Sequence, residues 1–439
     1  MRKSTCSMST RAPMRISRSW TASTGILRSD GCGMACRAAQ PPSLSFRGSR
    51  TSTAAVRRAT DVTGIRQTRG MPKLASDARV RAARLDAHGL RSGLPSVTAA
   101  VTRLGAIQAQ DFTAAKWVIG ARVPGSVAAD VDAAIASREI VRSWPMRGTL
   151  HLLPTTSLRP ILSITGPREL QRAATRHRQL ELDDGVYRSA RAVAETELAG
   201  GASRSRDELQ AAWNAAGIET AGQRGYHLIW WLANDAVVCW GPTEARGQRL
   251  VLLDEWAPDK APHTDRDQTL AAMFVAYVTG HGPATVRDFA WWSGLTLGDA
   301  RVGLLTAGDA VTPFDDERFV AADAGWPADA HSDTPRVRSR LALAAFDEYF
   351  LGYADRTAVC DPAHATSVVP GANGVFQPIL VSSGRVVGTW KRTPGRGAQA
   401  VTLSGFDATS AIEASAYRRA FGEWTRFWGL ELGEITARA

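Results

Sequence analysis

The order of short amphipathic segments is the feature of this sequence that most restricts its fold. Residues 140–153 alternate apolar and polar side chains around Gly148, which predicts a strand pair or a bent hairpin. Ahead of it, hydrophobic periodicity predicts four short helices and one extended segment. The helices cover residues 76–90, 96–104, 113–121 and 127–138, and the extended segment covers 106–110. Helices followed by a hairpin are the element order of a winged helix.

The same order of elements occurs twice more downstream. Residues 203–209 carry a helix-capping pattern, and the loop 241–248 would form a wing between two strands. The predicted elements of these two units are 190–198, 203–217, 223–233, 236–240 and 250–253, then 269–279, 285–292, 297–305 and 311–321. Although the units share no obvious identity, the recurring layout predicts three tandem winged-helix modules, at 71–185, 186–265 and 266–335.

The last part of the chain, residues 336–439, changes character. Strands at 375–381 and 386–391, joined by a glycine-containing turn at 382–385, predict a small antiparallel β-barrel. Residues 410–428 predict a terminal amphipathic helix. The sequence therefore predicts an α+β fold, mostly α, in which three modules are followed by a barrel and a last helix.

The net charge of the chain belongs to its first 70 residues. They hold 13 lysines and arginines against two acidic residues, a surplus equal to the formal net charge of +11 of the whole chain. Rich in Ser, Thr and Gly and without a hydrophobic period, this leader is predicted to be disordered. A transit peptide, a basic nucleic-acid-binding arm and an upstream extension all fit it. The extension is favoured, with translation starting at Met71, because organised pattern begins abruptly there.

The cysteines and the hydropathy of the chain indicate which cofactors and which cellular surroundings to expect. Cys32 and Cys36 could be half of a metal site, but no matching Cys or His pair lies nearby, so no metal or other cofactor is predicted. Cys239 and Cys360 lie alone in apolar surroundings and are predicted to be buried thiols, which suits a reducing cytoplasm. No apolar run approaches the roughly 20 residues of a spanning helix, so no membrane partner is expected.

Two glutamines interrupt an apolar segment between the second and third predicted helices. In an extended segment Gln108 and Gln110 point to one face, with Ala109 facing the other way. By themselves the two amides would more often be capping or interdomain groups, because Gln is an ordinary surface residue. Asp111 is most simply the cap of the helix that follows it, with a share in catalysis as the minor alternative.

Four motifs stand out between residues 105 and 378. They are Gly105-Ala-Ile-Gln-Ala-Gln-Asp111, Trp144-Pro-Met-Arg-Gly-Thr-Leu-His-Leu152, Phe346-Asp-Glu-Tyr-Phe-Leu-Gly-Tyr-Ala-Asp-Arg356 and Asn373-Gly-Val-Phe-Gln-Pro378. Together, and in this order, they resemble the winged-helix DNA glycosylases of the AlkZ/YcaQ type over about residues 71–428. The resemblance implies three tandem winged helices in an open C shape, followed by a β-barrel. It also implies removal of N7-alkylated purines, including interstrand crosslinks, without lyase chemistry.

The resemblance assigns a catalytic motif of glutamine, an apolar residue, and glutamine or aspartate. It falls on Gln108, Ala109 and Gln110, and the two glutamines place the chain nearer the crosslink-unhooking branch. An N7-alkylguanine already carries the positive charge of a good leaving group, so the amides need only position water and present carbonyl lone pairs to the cationic sugar. We expect a monomeric, monofunctional DNA N-glycosylase without cofactors that acts on double-stranded DNA with alkylated bases, in the cytoplasm at the nucleoid.

Three residues of the predicted hairpin are expected to have a supporting role in this site. Arg147, Thr149 and His151 alternate onto one face of the strand, where they would hold the lesion strand or the glutamines. The simpler alternative for His151, which is flanked by leucines, is a histidine satisfied within its own strand.

Contact with DNA has to come from local patches, because the chain beyond the leader is neutral in sum. Arg168, Arg172 and Arg176 recur every four residues on one helical face, extended by Arg178, and could follow a phosphate backbone. A solvated helix face is an equal alternative, since two glutamates lie near. Further candidates for DNA contacts are Lys116, Arg204, Arg206, Arg246 and Arg249. The tandem Trp291-Trp292 is predicted to be core rather than a base-stacking platform.

Two further classes of protein compete with the enzyme. A non-enzymatic winged-helix regulator would need base-reading side chains on a recognition helix and usually a dimer. Residues 223–233 are a poor reading helix, because their apolar side chains look buried. An interaction scaffold that has lost catalysis is the third class.

Overall fold

The computed structural model describes residues 74–438, except for 245–246, 259–264, 324–339, 372–373, 395–397 and 407–411. It is an α+β fold, as predicted. The leader 1–70 and Arg246 lie outside the described residues, so what the sequence indicates for them stays a prediction. None of the described helices is long and apolar enough to cross a membrane.

The first part of the described chain follows the predicted order of helices and hairpin. Its elements are α1 (Asp77–Ala87), α2 (Val97–Leu104), β1 (Ile107–Gln108), α3 (Phe112–Gly120), α4 (Ala128–Ala136), β2 (Ile140–Met146), β3 (Thr149–Pro154) and α5 (Thr155–Gln179). The side chains of Ser76, Ser96 and Asp111 each accept a hydrogen bond from a backbone N–H in the first turn of α1, α2 and α3. These caps explain why the predicted starts are nearly right.

The second part contains α6 (Asp184–Leu198), α7 (Arg206–Ala215), α8 (Arg224–Asn234), β4 (Val238–Glu244), β5 (Gly247–Leu252) and α9 (Leu253–Trp256). Helix α7 begins with the predicted capping box, formed by Ser205 and Glu208. The predicted loop over 241–248 is wrong for most of its length, because β4 and β5 continue through it as paired strands.

The third part contains α10 (Arg266–His281), β6 (Ala284–Thr285), α11 (Val286–Ser293), α12 (Leu297–Ala307), β7 (Val311–Pro313) and β8 (Arg318–Ala321). The predicted helices are confirmed, and the segment predicted as 311–321 is a hairpin of β7 and β8. Strands β6, β8 and β7 form a three-stranded sheet in that order.

The last part contains β9 (Arg340–Leu343), α13 (Glu348–Leu351), α14 (Ala365–Val368), β10 (Ile379–Ser382), β11 (Arg385–Pro394), β12 (Ala398–Gly405), α15 (Arg418–Phe427) and β13 (Glu431–Arg438). Helix α15 is not terminal as predicted, because β13 follows it. The prediction of a purely antiparallel arrangement is also wrong, since β13 pairs parallel to β12. The sheet order is β13-β12-β11-β10-β9.

A five-stranded sheet joins the first and second parts of the chain. Its order is β1-β3-β2-β4-β5, so the two hairpins share one sheet through the pairing of Arg142 in β2 with Trp240 in β4. Strand β1 lies at the edge of this sheet and pairs antiparallel with β3, with Gln108 opposite His151. The edge strand therefore places the glutamine segment where one side of its backbone is not covered by the sheet.

The hydrophobic core brings the first and last parts of the chain together. One cluster of buried residues joins α2, α3 and α4 to the last sheet and to α15. Within it, the indole N–H of Trp117 donates to the carbonyl of Ala342 at 2.8 Å. Helix α10 crosses α2 so closely at Gly280 that a Cβ there would collide with the carbonyl oxygen of Arg103. This packing brings the segments around residues 105, 281 and 348 side by side.

Candidate active site

The glutamine segment is fastened to the edge of the sheet by its backbone. Ile107 and Ala109 are fully buried in the core shared with α2, α3 and α4, so alternation turns Gln108 to the other face. The N–H of Ala109 donates to the carbonyl of Leu150 at 2.7 Å. The carbonyl of Ala109 accepts from the Arg142 guanidinium at 2.8 and 3.0 Å. The segment is therefore held through both backbone groups of its middle residue.

The two glutamine side chains differ in exposure. Gln108 is only 9% exposed, and its Oε1 atom is buried without a hydrogen-bond partner among the described residues. Gln110 is exposed, and its Oε1 atom accepts from the N–H of Leu150 at 3.2 Å. A buried carbonyl oxygen without a partner is rare in folded proteins, so the Gln108 amide is a candidate to contact a ligand.

His151 lies directly across from Gln108 and is fully buried. Its Nδ1 atom lies 2.9 Å from the carbonyl oxygen of Thr149, and its Nε2 atom lies 3.2 Å from Nη2 of Arg147. A carbonyl only accepts and a guanidinium only donates, so Nδ1 carries the proton and Nε2 is bare. Burial, together with the charge of Arg147, lowers the pKa of His151 to about 3. His151 is therefore a neutral imidazole that joins Arg147 to the strand.

Glu348 is a buried carboxylate that the sequence analysis missed. Its Oε1 atom accepts from the backbone N–H of Gln108 at 3.0 Å, and its Oε2 atom lies 3.4 Å from Nε2 of His281. Burial works to raise its pKa, but contact with His281, the charge of Arg147 and the Gln108 N–H leave that pKa below its ordinary value. Two adjacent acids, Asp347 and Glu348, within the apolar run Phe346–Leu351 were the available signal.

A buried polar network lies beside Glu348 and links four segments. Arg122 forms a two-point ion pair with Asp347 at 2.8 and 2.9 Å and also contacts Nδ1 of His88 at 3.2 Å. Nε2 of His88 lies 2.9 Å from the hydroxyl of Tyr353, which donates to the carbonyl of His281 at 2.7 Å. Burial and neighbouring cations hold the pKa of His88 well below its ordinary value. The network fixes α1, α3 and α10 around the start of α13.

Asp111 and Lys116 have structural partners. The Asp111 side chain accepts from the N–H of Ala114 at 2.9 Å, which confirms its prediction as a helix cap. Lys116 is buried, and its ammonium contacts the Asp132 carboxylate at 2.6 and 2.7 Å. This ion pair argues against the predicted phosphate contact by Lys116.

Comparison with known proteins decides the family. The family model described as DNA glycosylase AlkZ-like matches residues 101–427. The chain belongs to this family. An interstrand DNA cross-link repair glycosylase from Streptomyces sahachiroi is 28% identical over 316 residues, which cover 68% of this chain and 82% of that protein. The solved structure of the Streptomyces sahachiroi DNA glycosylase AlkZ matches with a TM-score of 0.70 at 24% identity, over 83% of this chain and 100% of that one, and shows the same fold.

In this AlkZ-like chain the predicted arginine face of α5 is exposed next to the glutamine site. Arg172 contacts Glu169 at 2.7 Å and the carbonyl of Gly294 at 3.3 Å. A Cβ on Gly294 would lie 3.0 Å from Cγ of Arg147 and 3.8 Å from Nη1 of Arg172, so these two arginines flank one glycine. The arginine face therefore begins beside Arg147.

The rest of that face carries local hydrogen bonds. Arg176 is exposed and contacts Gln223 at 2.7 Å, while Arg178 contacts Thr175 at 3.0 Å. Arg168 is half-buried, and its Nε atom has no partner among the described residues. Exposed guanidiniums bound to neutral groups keep their charge available to phosphates.

The arginines near the start of α7 and in β5 are less available than predicted. Arg204 forms an ion pair with Glu197 at 3.0 Å, and Arg249 forms one with Glu208 at 2.8 Å. Arg206 is exposed at the start of α7. Of this group, Arg206 is the one that the structure leaves best placed for DNA.

Trp291 is exposed, although the tandem Trp291-Trp292 is predicted to be core. Trp292 is 1% exposed and belongs to the core as predicted, but Trp291 is 45% exposed. Its indole N–H donates to the carbonyl of Leu351 at 3.2 Å, and the Arg356 guanidinium lies 5.2 Å from its ring. Trp291 therefore lies on the exposed side of α11, and the prediction that both tryptophans are core is wrong for Trp291.

The cysteine, histidine and acidic side chains of the described residues bear on the predictions for thiols and metals. Cys239 and Cys360 are buried free thiols, as predicted. Among the described residues no group of three or more His, Cys, Asp or Glu side chains could hold a metal ion.

Buried neutral His151 predicts a pH dependence of stability. Its folded pKa of about 3 lies below the ordinary value of 6.5, so the unfolded chain takes up a proton that the folded chain does not. Stability is lost as pH falls below 6.5. We expect His151→Asn to reduce the slope of unfolding free energy against pH by about 1.4 kcal/mol per unit between about pH 6 and 4. Urea titrations of the wild type and of His151→Asn at each pH measure the two slopes. Equal slopes in the two proteins between pH 6 and 4 would show that His151 is protonated in the fold. The slopes between pH 7 and 8, where His151 is neutral in both states, serve as the control.

Proposed function

We propose that this chain is a monofunctional DNA glycosylase that hydrolyses the N-glycosidic bond of N7-alkylated purines in double-stranded DNA. The observation that carries the proposal is the two amides of Gln108, in the edge strand β1, and Gln110, which follows that strand, in a chain of the AlkZ-like family. Gln108 offers a buried carbonyl oxygen without a partner among the described residues, and Gln110 offers an exposed amide two residues on.

The chemistry suits amides because the lesion supplies its own charge. An N7-alkylated purine is cationic, so it leaves the sugar without a general acid. What remains is to stabilise the cationic sugar and to position water, as in glycoside hydrolysis generally. A carbonyl oxygen has two lone pairs, and in Gln110 the Leu150 N–H uses one of them. Gln108 and Gln110 would present the remaining lone pairs to the sugar and to water.

Interstrand crosslinks are included in the proposed substrates. The Streptomyces sahachiroi relative is an interstrand DNA cross-link repair glycosylase, and the identity with it extends over 316 residues. A crosslink between N7 atoms leaves each purine cationic, so the same two amides would serve both strands in turn.

The finer architecture is also proposed. Three winged-helix modules, at 71–185, 186–265 and 266–335, would form an open C, with a β-barrel domain at 336–439. Support comes from helices followed by a hairpin in each module, and from the five-stranded sheet of the last part. We propose a monomer that acts in the cytoplasm at the nucleoid. Helix α8 does not favour a non-enzymatic regulator, because Leu228, Ile229 and Trp230 are buried.

Loss of one catalytic amide should abolish most of the activity and spare binding. We expect Gln110→Ala to lower the single-turnover release of N7-methylguanine from duplex DNA by about 10²- to 10³-fold, the effect of removing one preorganised contact to a developing charge. Chromatography of the released base and fluorescence anisotropy of DNA binding measure the two quantities. Gln268→Ala, at an exposed position near the start of α10, is the control. A wild-type rate in Gln110→Ala would contradict the proposal.

The arginine face should contribute affinity that depends on salt. We expect the double substitution Arg176→Ala and Arg178→Ala, which removes two exposed guanidiniums bound only to neutral groups, to weaken binding to duplex DNA irrespective of sequence. The slope of log K against log salt should fall by about 2, since each phosphate contact contributes about 0.9. Arg419→Ala, at an exposed position of α15, is the control that should leave the slope unchanged. An unchanged slope in the double variant would place the DNA elsewhere.

A further inference from the structure

We propose that Glu348 is a positioning residue for base release, because it holds the backbone of Gln108 in place without contacting DNA. The inference rests on the proposed role of Gln108. Glu348 is fully buried, and its Oε1 atom accepts from the Gln108 N–H at 3.0 Å. The two residues lie 240 positions apart in the chain, so the contact ties the edge strand β1 to helix α13.

Strand β1 needs such a contact because the sheet holds it from one side only. It is two residues long and pairs with β3 alone in the first sheet. The N–H of Ala109 donates towards β3, so the alternation of an antiparallel strand turns the N–H of Gln108 away from β3. Without Glu348 that N–H would be a buried donor with no partner in the sheet. Leaving it unsatisfied would cost about 1–3 kcal/mol.

The geometry around His281 shows that Glu348 does not act as a source of net charge. Nδ1 of His281 lies 3.2 Å from the carbonyl oxygen of Tyr277, which requires a proton on Nδ1. The contact of 3.4 Å between its Nε2 atom and Oε2 of Glu348 then requires a second proton between them. An imidazolium with a carboxylate, or an imidazole with a carboxylic acid, has no net charge. The pair therefore acts through the position of its hydrogen bonds.

Position matters because an amide works only at the right distance from the reacting sugar. A displacement of about 1 Å can lower a rate by about 100-fold. Four polar groups of the motif have a partner on the scaffold: the Gln108 N–H, the Ala109 N–H and carbonyl, and Oε1 of Gln110. Oε1 of Gln108 has none among the described residues, and Glu348 fixes the backbone that carries it.

The test compares substitutions of Glu348 with a matched buried carboxylate elsewhere. Glu348→Leu fills the space but removes the acceptor, and we expect single-turnover base release to fall by about 100-fold with DNA affinity within about twofold. In Glu348→Gln the carboxamide oxygen accepts from Gln108 and its NH₂ group donates to neutral His281. This variant should recover most of the activity lost in Glu348→Leu.

The matched control is Asp315→Leu. Asp315 is also a buried carboxylate that accepts a distant backbone N–H, from Ala75 at 3.2 Å, and it pairs with Arg318 at 2.7 Å. Asp315→Leu should lower thermal stability, and the rate of the folded protein should stay at the wild-type value. Equal loss of rate in Asp315→Leu and Glu348→Leu would reduce the role of Glu348 to general stability and overturn the inference.

Two further outcomes are decisive. A wild-type rate in Glu348→Leu overturns the inference. If Glu348→Leu does not fold, Glu348→Asp takes its place, because this substitution keeps the carboxylate but withdraws it from Gln108. We expect the rate of base release to fall by about tenfold or more in Glu348→Asp. A wild-type rate in this variant overturns the inference. Base release by the wild-type chain is measured first. If wild type releases no base, the proposed function fails; if it does and Glu348→Leu matches it, only the role of Glu348 fails.

Discussion

The hydrogen bond from the Gln108 N–H to Glu348 is the contact on which the site depends. It gives a partner to the N–H on the unpaired side of a two-residue edge strand, and the acceptor lies on a helix 240 positions away in the chain. The contact exists only because α2, α10 and α13 pack together, with Gly280 allowing α10 to approach the backbone of α2. The core that joins the first and last parts of the chain therefore also assembles the proposed catalytic motif.

The charges around the motif fit the proposed preference for lesions that are already cationic. His151 is a neutral imidazole, and the pair of His281 and Glu348 has no net charge. The proposed mechanism contains no general acid for the leaving base, so an uncharged purine would remain a poor leaving group. Arg147 lies between this site and the exposed Arg172, where the arginine face begins. In the proposed complex this arrangement would place positive charge towards the phosphates and the amides towards the sugar.

The sequence predicts what is local and misses what depends on distant contacts. Helix starts at Ser76, Ser96 and Asp111 follow from capping chemistry within three residues, and the amide pair follows from strand alternation. Glu348 could not be assigned, because its partner lies 240 positions away. Lys116 was predicted to contact phosphate since nothing local indicates its ion pair with Asp132. Strand β13 and the pairing of β2 with β4 were missed for the same reason, because strand partners are set by tertiary packing.

A double-mutant cycle tests most directly whether Glu348 acts through Gln108. Single-turnover release of N7-methylguanine is measured for Gln108→Ala, for Glu348→Leu and for the double variant. If Glu348 serves only to position Gln108, the double variant should release the base at the rate of Gln108→Ala alone, since residues that act as a unit are strongly non-additive. Effects that multiply in the double variant would show that the two residues act independently, and would contradict the account.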